Sequence, residues 1–326
     1  ECYIVCDEAG NPVDIRVRET GASEKLIESF MLSANECVAK HLQKAGLPCV
    51  YRVHEKPTED KVTALRTMLA PWGFDLKEAD HGSIQKVLDA VKGTVQAPAI
   101  HIMVLRSLMK ARYDPQNLGH FGLAAKYYCH FTSPIRRYPD LMVHRVLTAL
   151  LDGTLERQRR KLSADVERAA VQSSDREVAA MSAEREIEKC YMAEYMVPHI
   201  GETFPGAVTG VTKFGLFVGL ANGVEGLLPV TALPDDRYEY DEARMTLTGV
   251  RTKFVYTFGM PLEVLCAAAD PGSGQIDFTL PGEPGALPKV HPAPRKEPKT
   301  EKRGRPGHAH GHGRRPGGRG QRRGRK

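Results

Sequence analysis

The sequence contains no long hydrophobic run. No stretch of eighteen apolar residues occurs among its 326 residues, which excludes a membrane-spanning helix. Its seven cysteines include no C-x-x-C pair, which argues against a zinc site and against a disulfide framework. Reduced thiols are typical of a cytoplasmic protein, and we expect that location. The chain starts at Glu1, no charged-then-apolar signal segment follows, and we expect it to be a piece of a longer protein.

Positive charge is concentrated near the end of the chain. Residues 281–326 hold fourteen Lys or Arg against three Glu, a net charge of +11, which leaves residues 1–280 at −5 of the total of +6. The same segment has ten Gly and eight Pro and lacks Ile, Phe, Tyr and Trp. It cannot bury enough apolar surface to offset its ordering entropy. We expect a disordered basic tail that binds polyanions, and the alternative is a tail that only aids solubility.

Hydrophobic spacing predicts a mostly helical first part. Loose alternation over residues 3–18 around Gly10-Asn11-Pro12 indicates a short hairpin. The aromatic and Gly-rich segment 119–138 is typical of loop and short strand. Helical spacing of apolar residues is found in six segments: 23–46, 58–70, 83–92, 100–112, 139–151 and 163–195.

Strand periodicity begins after Pro198. Six short apolar runs, separated by Gly, Asn and Asp, lie within residues 201–280. Short, evenly spaced strands of this kind predict a small β-barrel. The chain is therefore expected to be of the α+β class, with a helical part, a barrel and a tail.

The sharpest motif is HFTSPIRRYPDL, residues 130–141. Pro139 fits the first turn of a helix, so Arg136 and Arg137 stand just before a helix N-terminus. Two guanidinium groups beside free backbone N–H groups suit phosphate oxygens. Tyr138 could stack on a base or pack against the protein. The alternative is that the arginines pair with carboxylates such as Asp140.

This motif closely resembles the signature of the ribonuclease II / ribonuclease R family, whose catalytic module is the RNB domain. The resemblance extends in order over residues 1 to about 280 and is closer to the ribonuclease R branch. The flanking segments that share it are Lys25–Glu28, Met31–Asn35, Arg52–Pro57, Leu105–Met109, Tyr113–Pro115, Gly119–Leu123 and Met181–Arg185.

The resemblance implies a processive 3′→5′ exoribonuclease that threads single-stranded RNA and releases nucleoside 5′-monophosphates with Mg²⁺. In that family an aspartate cluster early in the catalytic domain holds the metal. This sequence has no such cluster, and its adjacent pair Asp235-Asp236 lies in the barrel segment. We therefore expect the C-terminal, mostly helical half of an RNB domain without the metal ligands, Mg²⁺ being the cofactor of the intact enzyme. The alternative is a non-catalytic single-stranded RNA-binding protein.

Site residues follow from the resemblance, position by position. Arg136 matches the family's important arginine and is expected to contact the scissile or terminal phosphate. Glu184 matches a carboxylate near that site, and Glu28 one that contacts the 3′-terminal ribose. Arg137 and Tyr138 are expected to bind RNA beside them. The alternative for each glutamate is an exposed charge on a helix face.

Residues 201–280 resemble an S1 domain, an OB-fold RNA binder. Phe214 and Phe217 are expected to stack on bases, while Lys213 and Arg237 follow the RNA backbone. The alternative is that one phenylalanine belongs to the barrel core. The family often has a histidine near Pro229, so the sequence departs from the pattern there.

These inferences divide the chain into three parts: a partial RNB domain (1–198), an S1 domain (199–281) and a disordered basic tail (282–326). The tail is expected to hold structured RNA or to dock on ribosomes, and the protein to be a monomer. A translation-associated OB-fold protein is disfavoured, because it leaves HFTSPIRRYPDL unexplained.

Overall fold

The computed structural model describes residues 2–17, 20–76, 78, 80–93, 97–234, 236–242 and 244–282. All of them belong to one compact unit. The tail predicted over residues 282–326 therefore lies outside the described residues except for Gly282, and so does Asp235 of the aspartate pair.

The chain begins with the predicted hairpin, in which β1 (Cys2–Cys6) pairs with β2 (Pro12–Val17). Asp7 accepts hydrogen bonds from the backbone N–H groups of Ala9 and Asn11, at 2.9 and 2.8 Å, and so holds the turn. Hydrogen bonds to the charged carboxylate, from the side chain of Asn11 first and then from the backbone, lower the pKa of Asp7.

The part before residue 198 is mainly helical, as the spacing predicted. Its elements are α1 (Ala22–Lys44), β3 (Tyr51–Val53), α2 (Glu59–Leu69), α3 (His81–Val91), α4 (Ala97–Ser107), β4 (Arg112–Asp114), α5 (Tyr138–Leu151) and α6 (Leu155–Met196). Local signals set the helix starts. Asp80 caps α3 by accepting from the N–H of Ser83 at 2.6 Å, and the Glu24 carboxylate accepts from the N–H of Gly21 at 2.6 Å.

Two apolar clusters hold the helical part together. In the first, α1, α5 and α6 pack against the antiparallel pair β3–β4, around residues such as Leu42, Val50 and Met142. In the second, α2, α3 and α4 pack on one another around Leu65 and Ile100. Burial of such side chains contributes about 1.5–3 kcal/mol each, so the two clusters fix the positions of the helices.

The long helix is longer than its spacing predicted. It starts at Leu155 rather than near residue 163, because Leu155, Leu162 and Val166 are buried against the first cluster despite the charged residues between them. At its other end, Ala193 and Met196 are buried in the barrel core together with Ile15 of β2. Helix α6 thus joins the two parts through shared packing. No helix in the described ranges is long and apolar enough to cross a membrane.

A closed five-stranded barrel follows. Its strands are β5 (Thr203–Thr212), β6 (Gly215–Leu220), β7 (Glu225–Pro229), β11 (Pro261–Asp270) and β12 (Gln275–Thr279), in the order β11-β12-β7-β6-β5. Inward-facing residues such as Leu216, Val218 and Leu228 fill it.

A separate antiparallel sheet is built from β8 (Tyr238–Asp241), β9 (Thr246–Gly249) and β10 (Val255–Thr257). The described part of the chain after residue 198 therefore forms eight strands, and the prediction of six was wrong. Strands β8 and β9 were not predicted, because their short segments, YEYD and TLTG, show little alternation of apolar and polar residues.

Candidate functional site

The HFTSPIRRYPDL motif forms a tight turn that leads into α5. The carbonyl oxygen of Ser133 accepts hydrogen bonds from the backbone N–H groups of Arg136 and Arg137, at 3.3 and 3.1 Å. Pro139 lies in the first turn of α5, where its missing N–H has no cost. The turn presents two adjacent arginines at the start of a helix.

Asp140 holds this turn from inside the protein. Its carboxylate is completely buried, and Oδ2 accepts from the N–H of Ser133 at 2.8 Å. The same oxygen accepts from Nη2 of Arg137 at 2.8 Å and from Nε at 3.2 Å. The other oxygen, Oδ1, is buried without a hydrogen-bond partner among the described atoms. Pairing with a carboxylate, the alternative left open for both arginines, is thus observed for Arg137.

Arg136 is placed differently. Its side chain is exposed and has no hydrogen bond or ion pair in the part of the chain that the structure describes. The neighbouring Ile135 is fully exposed as well. The turn thus directs one arginine inward as a support and leaves the other available to an anion.

A cleft of about 540 Å³ opens beside this turn and brings two of the predicted residues together. Glu28 of α1 lines one side and Arg137 the other, with Asn35 and Tyr128 between them. Asn35 closes the cleft by joining α1 to the motif: its Nδ2 donates to Tyr128 Oη at 3.2 Å, and its Oδ1 accepts from the N–H of Phe131 at 2.9 Å. A carboxylate and a guanidinium across one cleft can bind hydroxyl and phosphate groups of a single ligand.

The partly buried ring of His130, the first residue of the motif, lies beside the buried ring of Tyr113. Nδ1 of His130 lies 3.0 Å from the hydroxyl oxygen of Tyr113, and the Arg52 guanidinium stacks 4.7 Å from the centre of the Tyr113 ring. Burial lowers the pKa of His130 to about 3, and the positive charge of Arg137 adds to this. His130 is therefore neutral at pH 7. Arg52 itself pairs with Glu177 of α6 at 2.6 Å.

Glu184 lies outside this arrangement. It is exposed on α6, seven residues beyond Glu177, which is about 10 Å along the helix. It lines a different cleft, of about 980 Å³, between α6 and β1, where Cys2 and Tyr3 face Tyr191. The structure therefore does not bring Glu184 into the cleft of Glu28 and Arg137.

Tyr138 is half exposed at the start of α5. The guanidinium of Arg145 lies 5.7 Å from its ring centre, and Nη1 of Arg145 donates to its hydroxyl at 3.3 Å. The ring is held from one side and remains accessible on the surface that carries Arg136.

The barrel presents an aromatic face to α6. Phe214 and Phe217 meet edge to face with ring centres 6.2 Å apart, and both line a cleft of about 540 Å³ whose other side carries Arg185 and Lys189. Phe214 is 52% exposed and Phe217 is partly exposed, so the alternative that one of them belongs to the barrel core is wrong. Aromatic faces beside cations are typical of sites for single-stranded nucleic acid.

Gly215 shapes this face. A Cβ at that position would meet the carbonyl oxygen of Leu228 and lie 2.9 Å from Cα of Pro229. Lys213, just before the two phenylalanines, is exposed at the β5–β6 turn. Arg237 is exposed at the start of β8, next to the loop that Asp236 holds. Neither cation lines the cleft with the phenylalanines.

The described residues do not supply a metal site. Across the ranges given above, no group of three or more His, Cys, Asp or Glu side chains is close enough to hold a metal ion. These residues therefore do not fit a catalytic metal by themselves. Their side chains can instead bind and orient an anionic ligand.

Sequence reasoning missed the supporting residues Asn35, Tyr128 and Tyr113, whereas it named Asp140 in the alternative that is observed for Arg137. Asn35 and Tyr113 stood inside segments that carried the resemblance, but nothing in their spacing indicates that they meet. Asp140 carried a usable signal, because a carboxylate in the first turn of a helix, three residues after an arginine, is in reach of it.

The fold and the site define a nucleic-acid-binding architecture, in which an arginine-bearing turn on a helical part is followed by an OB-fold barrel with an aromatic face. Two family models match the sequence, that of the RNB domain over residues 1–153 and that of the S1 RNA binding domain over residues 197–256. The chain therefore carries RNB-domain sequence followed by an S1 RNA binding domain.

Individual proteins similar to this chain are ribonucleases R. Ribonuclease R 1 of Lactococcus lactis is 41% identical over 302 residues, which are 91% of this chain and 37% of that protein. Ribonuclease R of Aquifex aeolicus is 42% identical over 284 residues, 86% of this chain and 40% of that protein. The chain thus spans about two fifths of the length of these relatives.

The fold is also similar to that of a solved ribonuclease R. The apo form of Mycoplasma genitalium RNase R superposes with a TM-score of 0.81 at 32% identity, over 86% of this chain and 45% of that one. The same protein has been solved in complex with ribose-methylated single-stranded RNA, and that structure superposes with a TM-score of 0.81 at 31% identity.

Proposed function

We propose that this chain is the RNA-holding part of a ribonuclease R-type exoribonuclease, which degrades RNA processively from the 3′ end to nucleoside 5′-monophosphates. One observation carries the proposal: the signature motif pairs Arg137, which lines a cleft together with Glu28, with a buried Asp140, and it leaves the adjacent Arg136 exposed. The match to the RNB domain supports it.

Within this proposal Arg136 contacts the phosphate next to the bond that is broken, because its guanidinium is exposed at a helix start and has no other partner in the described part of the chain. Glu28 accepts hydrogen bonds from the hydroxyls of the terminal ribose. Arg137 lines the same cleft, but its ion pair with Asp140 gives it mainly a supporting role. Tyr138 offers a ring to a neighbouring base.

Glu184 has a weaker place in the proposal. The structure locates it in the cleft beside β1. We retain it as a residue of the RNA path along α6 rather than as a partner of Arg136. On the barrel, Phe214 and Phe217 stack on bases further from the 3′ end, and Lys213 and Arg237 attract the backbone from the barrel surface.

The hydrolysis itself is assigned to the intact enzyme with Mg²⁺, whose aspartate ligands lie outside the residues that the structure describes. A second candidate is a non-catalytic single-stranded RNA-binding protein. The arginine turn and the aromatic face of the barrel support it, since both can hold RNA and neither requires a metal to do so.

Further parts of the proposal concern the whole chain. We propose the domain limits 1–198, 199–281 and 282–326, supported by the end of α6 at Met196. We also propose that the protein is a monomer and that it is cytoplasmic, the location being supported by seven free cysteines. We further propose a tail that holds structured RNA or the ribosome, supported by its charge.

The test is digestion of a 3′-labelled single-stranded oligoribonucleotide by this chain with Mg²⁺, beside an EDTA control and a filter-binding titration. Arg136→Ala is compared with Arg244→Ala, an exposed arginine on the barrel side. We expect RNA binding that Arg136→Ala weakens and Arg244→Ala does not, without release of mononucleotides.

Metal-dependent release of mononucleotides by the chain alone would show a metal site that the described residues do not form. Binding that neither substitution changes would refute the role of the arginine turn.

A further inference from the structure

Three cations stand out on the first two turns of α6. Arg157, Arg160 and Lys161 are exposed and follow the i, i+3, i+4 spacing that places side chains on one face of a helix. The opposite face of the same turns is buried through Leu155 and Leu162. None of the three cations has a hydrogen bond or ion pair within the described ranges.

Folding gives no reason for these charges. The first turn of a helix carries partial positive charge and favours acidic residues, so Arg157 is unfavourable there. The three cations also repel one another at this spacing. Their neighbours are compensated: Arg159 pairs with Glu156 at 3.1 Å, and Arg168 pairs with Asp165. A cluster that lowers stability and lacks partners indicates an anionic ligand.

A second basic segment lies alongside. Lys40 and Lys44 are exposed near the end of α1, one helical turn apart. The start of α6 is linked to the loop after α1, since Nη2 of Arg159 donates to the carbonyl oxygen of Gly46, two residues beyond Lys44, at 2.6 Å. We call the surface formed by Lys40, Lys44, Arg157, Arg160 and Lys161 the α1/α6 basic surface.

A polar cleft of about 310 Å³ opens at the same contact. Gln43, Gln116 and Asn117 line it together with Gly46. The carboxamide of Asn117 is engaged within the protein, because its Nδ2 donates to the carbonyl oxygen of Lys126 and its Oδ1 accepts from the N–H of Gly119. Carboxamides both donate and accept hydrogen bonds, so those of Gln43 and Gln116 can meet the edges of nucleobases as well as ribose hydroxyls. Cations beside a cleft of amides suit a nucleotide chain better than a simple anion.

We infer that the α1/α6 basic surface binds the phosphate backbone of RNA at a place separate from the cleft of Glu28 and Arg137. The inference rests on the proposed function for the nature of the ligand. Its consequence is length dependence: a long RNA occupies both places, whereas a short one occupies only the cleft.

The experiment compares the unchanged chain with two triple variants. The first, Arg157→Gln/Arg160→Gln/Lys161→Gln, removes three charges from the surface. The second is the matched control Lys86→Gln/Lys92→Gln/Lys253→Gln, which removes three charges from exposed positions elsewhere. Filter binding is measured for single-stranded RNAs of about five and about forty nucleotides between low and moderate salt.

We expect the first variant to bind the long RNA at least about tenfold more weakly at low salt, with the slope of log K against log salt flatter by about 2. Its binding of the short RNA is expected to equal that of the unchanged chain, and the control to retain both the affinity and the slope for the long RNA. Equal losses for both RNA lengths, or an unchanged slope, would overturn the inference. Failure of the unchanged chain to bind either RNA would overturn the proposed function as well.

A second variant separates binding from folding. Because acidic residues suit the first turn of a helix, Arg157→Glu is expected to raise the thermal midpoint while it weakens binding of the long RNA. A lower midpoint together with unchanged binding would mean that Arg157 serves the fold, and would refute the inference.

Discussion

Replacement of Asp140 by asparagine tests how the arginine turn is built. Asparagine keeps the shape of the side chain and removes its charge. The Arg137 side chain, only 19% exposed, would lose its counter-charge, and the N–H of Ser133 would keep only a neutral acceptor. Breaking a buried ion pair costs about 3–5 kcal/mol. Because Arg137 keeps some contact with water, we expect Asp140→Asn to lower the free energy of unfolding by about 3 kcal/mol.

The assay is urea unfolding followed by far-UV circular dichroism, with Trp72 fluorescence as a second probe. Trp72 packs on the cluster of α2, α3 and α4, so coincident curves would show that the two regions unfold together. The control is a double-mutant cycle with Arg137→Gln, in which we expect a coupling energy of about 2 kcal/mol. A loss below about 1 kcal/mol, or additive effects in the cycle, would refute the idea that this pair holds the turn.

Three further predictions concern the barrel and His130. Phe214→Ala is expected to weaken binding of single-stranded RNA by about 1–3 kcal/mol. The thermal midpoint is expected to change little, because the ring is 52% exposed. A filter-binding titration and a thermal unfolding curve measure the two effects, and unchanged binding would contradict the prediction. Gly215→Ala is expected to lower stability by about 2 kcal/mol in urea, since its Cβ would meet the carbonyl of Leu228; an unchanged midpoint would show that the strands can part there. The pKa of His130 is about 3 in the folded state and ordinarily 6.5, so the folded state binds fewer protons than the unfolded state. The free energy of unfolding is therefore expected to fall as the pH drops below 6.5, by up to about 1.4 kcal/mol per pH unit. We expect His130→Gln to flatten this slope, and equal slopes for the two proteins would argue against a neutral ring at this position.

Much of the architecture could be predicted because its signals are local. The hairpin around residues 10–12, the six helices and the barrel all follow from periodicity and turn residues that lie close together along the chain. The main errors arose where tertiary packing outweighed local pattern. The first turns of α6 are charged but are kept helical by burial of Leu155. Strands β8 and β9 depend on tertiary pairing, because β9 lies between β8 and β10 and pairs with both.

The sequence by itself determined the match to the RNB domain and the candidate residues, because a motif as long as HFTSPIRRYPDL restricts both the turn and the helix start. Which residues act together was decided by the tertiary structure. Packing of α1 against the motif brought Glu28 and Arg137 to one cleft, while Glu184, further along α6, lines another cleft. The buried carboxylate of Asp140 turned one arginine inward and left Arg136 exposed, since a charge without access to water requires a partner.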